Sequence, residues 1–186
     1  MKIALIGTHG VGKTTLCFEV AARIKRRGFD LELVREVARR CPLPINEETT
    51  AEAQAWILHT QVAEELAASA RHEVVIADRS VLDNYCYMVH ASCGSTLWES
   101  FLDHWLPTYD FLIHVPLWSR PSYDGVRAVD PRFQREIDDI LQGMVTTRGL
   151  NTLSLPADDP SQWGAEIEHA LLSFLEPNLP LFEDQD

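Results

Sequence analysis

The sequence predicts a three-layer α/β domain: a parallel sheet covered by helices on both faces. Three observations carry this. Short β-type runs alternate with longer stretches of helical spacing along the chain. Most of the short runs are almost continuously apolar, as parallel strands covered on both faces require. The run Gly7-Thr8-His9-Gly10-Val11-Gly12-Lys13-Thr14 fits G-x-x-x-x-G-K-[ST] and sits between a strand-like and a helix-like segment.

The elements follow in order. Lys2–Ile6 reads as the first strand, and Lys13–Arg27 as a helix closed by Gly28 after three basic residues. Leu31–Arg35 is more amphipathic than the other runs and is assigned nearer an edge of the sheet. Thr50–Arg71 has the spacing of a long helix, and Glu73–Ala77 that of a buried strand. Helices are predicted at Leu82–Ser92 and Thr96–Leu106, then a strand at Phe111–Val115. Arg120–Asp130, with Pro121, Gly125 and several charges, reads as a loop. A helix at Pro131–Thr147, a strand at Asn151–Leu155 and a helix at Ser161–Leu175 complete the alternation, with right-handed crossovers expected. Glu176–Asp186 holds Pro177 and Pro180 and ends in acids, so it reads as a tail after a domain of residues 1–175.

Composition narrows the function classes. With 186 residues, 46% of them hydrophobic, the chain can bury a sizeable core as one domain. A net charge of −12 argues against an extended nucleic-acid surface or an anionic-membrane surface. The four cysteines, Cys17, Cys41, Cys86 and Cys93, form no C-x-x-C pair and no zinc spacing, so buried reduced thiols are expected. The chain opens directly on a strand, leaving no room for a signal peptide, and no apolar run approaches the length of a membrane span. A soluble cytoplasmic protein, monomer or homodimer, is the expectation.

The glycine-rich run has the composition of a phosphate-binding loop. Its glycines let the backbone turn so that successive N–H groups point at a β-phosphate, and the helix that follows adds partial positive charge. His9, Gly10, Val11, Gly12, Lys13, Thr14 and Thr15 are assigned to the nucleotide cradle by position. Lys13 reaches the β- and γ-phosphates, and the Thr14 hydroxyl is a Mg²⁺ ligand. The third strand runs into Asp78, where a second metal-holding carboxylate is needed; the competing reading is a turn Asp capping the next helix. Arg79 follows it, suited to a phosphate or carboxylate, or else paired on the surface with Asp83. The segment 119–135 carries Arg120, Arg127, Arg132 and Arg135, the composition of a lid that brings positive charge to the γ-phosphate. Of these, Arg127 and Arg132 are assigned catalytic roles, against the reading of a solvated charged loop.

Glu36, after the second strand, could take a proton from an acceptor hydroxyl, and Arg39 could hold an anionic group. The equal alternative is an exposed helix start with i, i+3 pairing. Gln54 and Gln61 lie seven apart on one face of the long helix, either reading a base or carboxamide or merely exposed. Trp56 nearby could stack on a ring or belong to the core. No [NT]-K-x-D run follows the fourth strand, so the guanine-reading element of a GTPase is missing.

Taken together, Gly7–Thr14, Asp78-Arg79-Ser80 and the arginine-rich 119–135 segment resemble the nucleoside and nucleotide kinase branch of phosphate-loop proteins. The resemblance is strongest to small domains typified by the ribosylnicotinamide kinase domain of the bacterial NAD regulator. Glu36 with Arg39, Asp83-Asn84-Tyr85-Cys86-Tyr87 and Asp124-Gly125-Val126-Arg127 also resemble elements of that group. Deoxynucleoside kinases carry a similar acidic-Arg-Ser triplet and a Glu after the second strand. The resemblance covers residues 1 to about 155. It implies strand order 2-3-1-4-5 and ATP with Mg²⁺. It also implies an acceptor pocket between the end of the second strand, the long helix and Asp78–Tyr87, so that Glu36, Arg39, Gln61, Arg79, Asp83 and Tyr87 would meet a small acceptor. The expected activity is phosphoryl transfer to a nucleoside-like compound. A nucleotide-dependent ATPase or switch acting on a protein partner, through the acidic tail and through Trp98 and Trp105 if these are unburied, is the alternative, with a polynucleotide 5′-hydroxyl kinase behind it.

Overall fold

The computed structural model describes residues 1–45, 48–118 and 130–175. Five parallel strands, β1 (Lys2–Ile6), β2 (Leu31–Val34), β3 (Val74–Asp78), β4 (Phe111–His114) and β5 (Thr152–Ser154), form one sheet in the order β2-β3-β1-β4-β5. Six helices surround it: α1 (Lys13–Arg26), α2 (Ala51–Ser69), α3 (Val81–His90), α4 (Thr96–Trp105), α5 (Pro131–Thr147) and α6 (Trp163–Leu175). The fold class and strand order are those expected from the sequence.

Side chains on the central strands alternate between two cores, as the two-residue period of a strand dictates. Ala4, Ile6, Val75, Ala77 and Leu112 join the core under α2, α3, α4 and α5. Ile3, Leu5, Val74, Ile76 and Ile113 join the core under α1 and α6. The apolar continuity of β1 and β3 is therefore two interleaved faces, both buried.

The outer strands depart from this. β2 is an edge strand with Glu32 exposed, in keeping with its amphipathic sequence. The fifth strand was expected over Asn151–Leu155 as a buried run, but β5 spans three residues and is partly exposed. Among the described residues it pairs only with β4 and ends the sheet.

Local chemistry sets the helix ends. Thr50 caps α2 by accepting from the Ala53 N–H. Ser80 and Asp83 form a reciprocal capping box on α3. Asp130 caps α5, with Pro131 at its first position. Among the described residues all four cysteines are free thiols, Cys17 and Cys86 buried, Cys41 and Cys93 half-buried. No helix of the described residues is long and apolar enough to cross a membrane.

In this order β1 lies between β3 and β4, so its carboxyl end and that of β3 bound one crevice. Such a crevice, at the carboxyl ends of parallel strands, is where α/β sheets hold ligands.

Candidate functional site

β1 delivers the chain into the glycine-rich loop at Gly7. Its φ is +148°, and a Cβ there would lie 2.6 Å from the Val115 carbonyl oxygen. Glycine is required for the close approach of loop and strand. Gly12, also left-handed at φ +94°, caps α1 without any side-chain hydrogen bond. The first turn of α1 thus keeps backbone N–H groups for an anion.

Lys13 folds back over the loop, its Nζ donating to the Gly7 and Thr8 carbonyl oxygens at 2.6 Å each. Burial lowers its pKa to about 8, helped by the charge of Arg79 and opposed by Asp83, Asp78 and Glu36. Thr14 Oγ1 donates to Asp78 Oδ2 at 2.6 Å, and burial pushes the Asp78 carboxyl up despite that bond. Hydroxyl and carboxylate oxygens together suit Mg²⁺, which takes one or two protein oxygens and completes its shell with water and phosphate. The two predicted metal ligands are therefore in contact.

The loop is braced by residues that sequence reasoning passed over. Gln134, on the first turn of α5, donates to the His9 carbonyl at 2.8 Å, and Thr8 Oγ1 donates to the Gln134 carbonyl at 2.8 Å. Trp118 Nε1 donates to the Val11 carbonyl at 2.9 Å. No local pattern marks either residue, because each meets the loop from more than 100 positions away.

Beside the loop stands a second group. Arg79 is 5% exposed and holds φ +94°, a conformation that non-glycine residues rarely adopt. Its Nε donates to Glu36 Oε1 at 2.8 Å, and its guanidinium lies over the Tyr87 ring, 5.2 Å from the centroid. Glu36 Oε2 accepts from Arg39 Nε, also at 2.8 Å. Tyr87 Oη is 3.0 Å from His9 Nδ1. These residues wall a pocket together with Gln54, Ile57 and Asn84. A second pocket, sharing Glu36 and Arg39 with the first, reaches Thr14 and Asp78.

Several predicted residues have other surroundings. Gln61 is fully buried and away from the pocket; its Nε2 donates to Glu65 Oε1 at 2.9 Å and to the Arg79 carbonyl at 3.2 Å. Gln54, seven residues earlier, lines the pocket in its place. Asp83 is 1% exposed, and its oxygens accept from the Gly7 N–H, the Ser80 N–H and the Ser80 hydroxyl. It ties the loop to α3, a role that Ser80-x-x-Asp83 signals as a capping box. Arg79 pairs with Glu36, not with Asp83. Arg132 is exposed and paired with Glu136 at 2.8 Å, so it is not among the residues gathered at the crevice. Trp56 lies outside both pockets. Arg120 and Arg127 lie outside the described residues.

Asn84 belongs to the Asp83–Tyr87 segment of the resemblance but received no role there; the structure places it in the pocket. It is 4% exposed, lines the pocket, and its Nδ2 has no hydrogen-bond partner among the described residues.

Comparison with known proteins bears on the family and the fold. A family model described as an AAA domain matches residues 2–162. No curated protein matches the chain. Among solved structures, a deoxyadenosine kinase from M. mycoides, determined with products dCMP and a flexible dCDP bound, is similar in fold with a TM-score of 0.63. The match spans 93% of this chain and 100% of that one at 19% identity.

Proposed function

The chain belongs to the AAA-domain family of phosphate-loop proteins, and from that premise we propose that it is a kinase for a small nucleoside-like acceptor. The observation that carries this reading is the place of Glu36. It lines both the pocket of Gln54, Asn84 and Tyr87 and the pocket that reaches Thr14 and Asp78. A carboxylate between an acceptor pocket and a phosphate site is what phosphoryl transfer to a hydroxyl needs.

In this reading the loop amides and Lys13 hold the nucleotide phosphates, and Thr14 and Asp78 hold Mg²⁺. ATP with Mg²⁺ supplies the transferable phosphoryl group and part of the charge neutralisation at its oxygens. The acceptor oxygen bonds to the γ-phosphorus, the bond to the ADP oxygen breaks, and the hydroxyl proton leaves towards Glu36. Both Glu36 oxygens accept from arginines, which fix the carboxylate between the two pockets. Arg79 steadies Glu36 and adds positive charge beside the loop.

The pocket's composition supports the acceptor class. It offers an aromatic ring, the apolar Ile45 and Ile57, and the amides of Gln54 and Asn84. A buried Asn84 amide nitrogen without a partner among the described residues favours a ligand that brings an oxygen or nitrogen acceptor. The alternative, a switch acting on a protein partner, draws on the acidic tail, which lies outside the described residues, and on Trp98 and Trp105, which are partly buried against the core.

The test is ADP release by the purified protein with Mg-ATP and a panel of ribonucleosides, deoxynucleosides, nicotinamide riboside, nucleoside monophosphates and an oligonucleotide. The kinase reading expects at least one small acceptor to raise ADP release well above its rate with ATP alone. If none does while ATP is still hydrolysed, the ATPase or switch reading takes its place.

A further inference from the structure

Two buried groups in the α2–α5 core take no part in the chemistry above: Lys2, 8% exposed, and Glu65, 0% exposed. Glu65 lies on α2, and its bonds reach Gln61 one turn earlier on that helix and three residues far from it in sequence. Its Oε2 accepts from Lys2 Nζ at 2.9 Å and from Trp105 Nε1 at 2.9 Å. Its Oε1 accepts from Gln61 Nε2 at 2.9 Å and from the Tyr109 hydroxyl at 2.7 Å. Lys2 also donates to Thr108 Oγ1 and lies over the rings of Trp105 and Tyr109. A buried carboxylate with four donors, one of them a cation, is a fixed point.

The two Oε1 partners lead to one place. Gln61 Nε2 donates onward to the Arg79 carbonyl at 3.2 Å, and the Tyr109 oxygen accepts from the Val81 N–H at 3.2 Å. Arg79 is the residue held at φ +94°, and Val81 is the first residue of α3. One carboxylate thus reaches both flanks of the turn from which the Arg79 guanidinium projects to Glu36.

We propose that Glu65 is a positioning residue for Arg79, acting through Gln61 on one side of the strained turn and through Tyr109 on the other. The 2.9 Å contact with Lys2 Nζ fixes Glu65 in place. The network stands on the geometry; its consequence for turnover rests on the kinase reading.

Gln61→Met and Tyr109→Phe each cut one arm and leave Glu65 with its other donors. Leu171→Ala, on the opposite face of the sheet, is a comparison variant that loses stability without touching the network. The first measurement is NMR of the Arg79 Nε–H, assigned with Arg79→Lys and followed for solvent exchange. It needs no substrate. Both arm variants should exchange this proton at least about tenfold faster than the parent, whereas Leu171→Ala should not. The second is turnover with the acceptor found in the panel. The arm variants should lose kcat, up to about a hundredfold for a displaced catalytic group, with KM for ATP unchanged. Parent-like exchange in both arm variants would overturn the proposal, as would equal kcat losses in Leu171→Ala. A parent that phosphorylates nothing defeats the kinase reading, and the exchange measurement still decides whether Glu65 positions Arg79.

Discussion

The two faces of the sheet are filled in different ways. Under α1 and α6 the buried residues of the helices are Leu16, Cys17, Val20, Ile24, Trp163, Gly164, Ile167 and Leu171, with Lys13 at the loop as the charged exception. The other face buries Gln54, Gln61 and Glu65 on α2, Asp83 and Asn84 on α3, and Gln134 on α5. Burying a polar group without its bonds costs free energy, and each bond ties it to a particular direction. One face therefore supplies cohesion with little directional demand. The other supplies direction: it bonds the Arg79 carbonyl through Gln61, anchors the loop through Asp83 and Gln134, and walls the pocket beside Glu36. The difference teaches where substitutions should alter rate and where they should alter only stability.

The largest effect should come from the directional face at its contact with the substrate. Glu36→Gln keeps the shape but weakens the acceptor for the hydroxyl proton. It should lower kcat by about 10²- to 10⁴-fold with ATP binding little changed, measured by steady-state turnover and nucleotide titration. A kcat within a few-fold of the parent would remove Glu36 from the chemistry.

Leu171→Ala probes the cohesive face. It should lower folding free energy by about 2–5 kcal/mol in denaturant unfolding. The activity per folded molecule should stay at the parent level. A kcat loss in the folded fraction would break the division between the faces.

Lys13 sharpens the division, because it is the charged group on the apolar side. Its pKa is lowered to about 8 by burial, so above that pH the free protein holds it largely neutral. An anionic phosphate favours the ammonium and raises the pKa on binding. Nucleotide binding at about pH 8.5 should therefore take up protons, and binding at about pH 6.5 should not. Calorimetry in buffers of different ionisation enthalpy reads this directly, and proton release at the higher pH would contradict it.

The smallest effect is expected at Arg132, whose exposed pair with Glu136 adds little. Arg132→Ala should leave the melting temperature unchanged within error and kcat within a few-fold. A large kcat loss would restore the catalytic assignment drawn from the sequence.

Much of this fold is written locally. Parallel strands buried on both faces must be apolar runs, and Lys2–Ile6 and Val74–Asp78 are such runs. The loop, its lysine and the Thr14–Asp78 pair follow from one motif and one strand end. The partnerships that give the crevice its form are not local. Arg79 bonds Glu36 from 43 positions away, and Lys2 bonds Glu65 from 63. Gln54 and Gln61 share a helical face, yet seven residues move the second about 10 Å along the axis, from the pocket wall into the core. Periodicity reports the face of a helix but not the depth at which each turn enters the protein. Asp83 was legible as a cap and was read as a ligand contact. Asn84 carries no sequence signal beyond its neighbours.

The left-handed backbone at residue 79 has a consequence for anyone ranking variants of this protein by robustness. Glycine adopts that conformation without penalty, and asparagine with little. Either would also leave the buried Glu36 carboxylate without its Arg79 partner, a loss at least as large as the strain relieved. A library at this position sorted on heat resistance therefore weighs backbone comfort against a buried ion pair. An arginine that persists there is held by its side chain and not by its backbone.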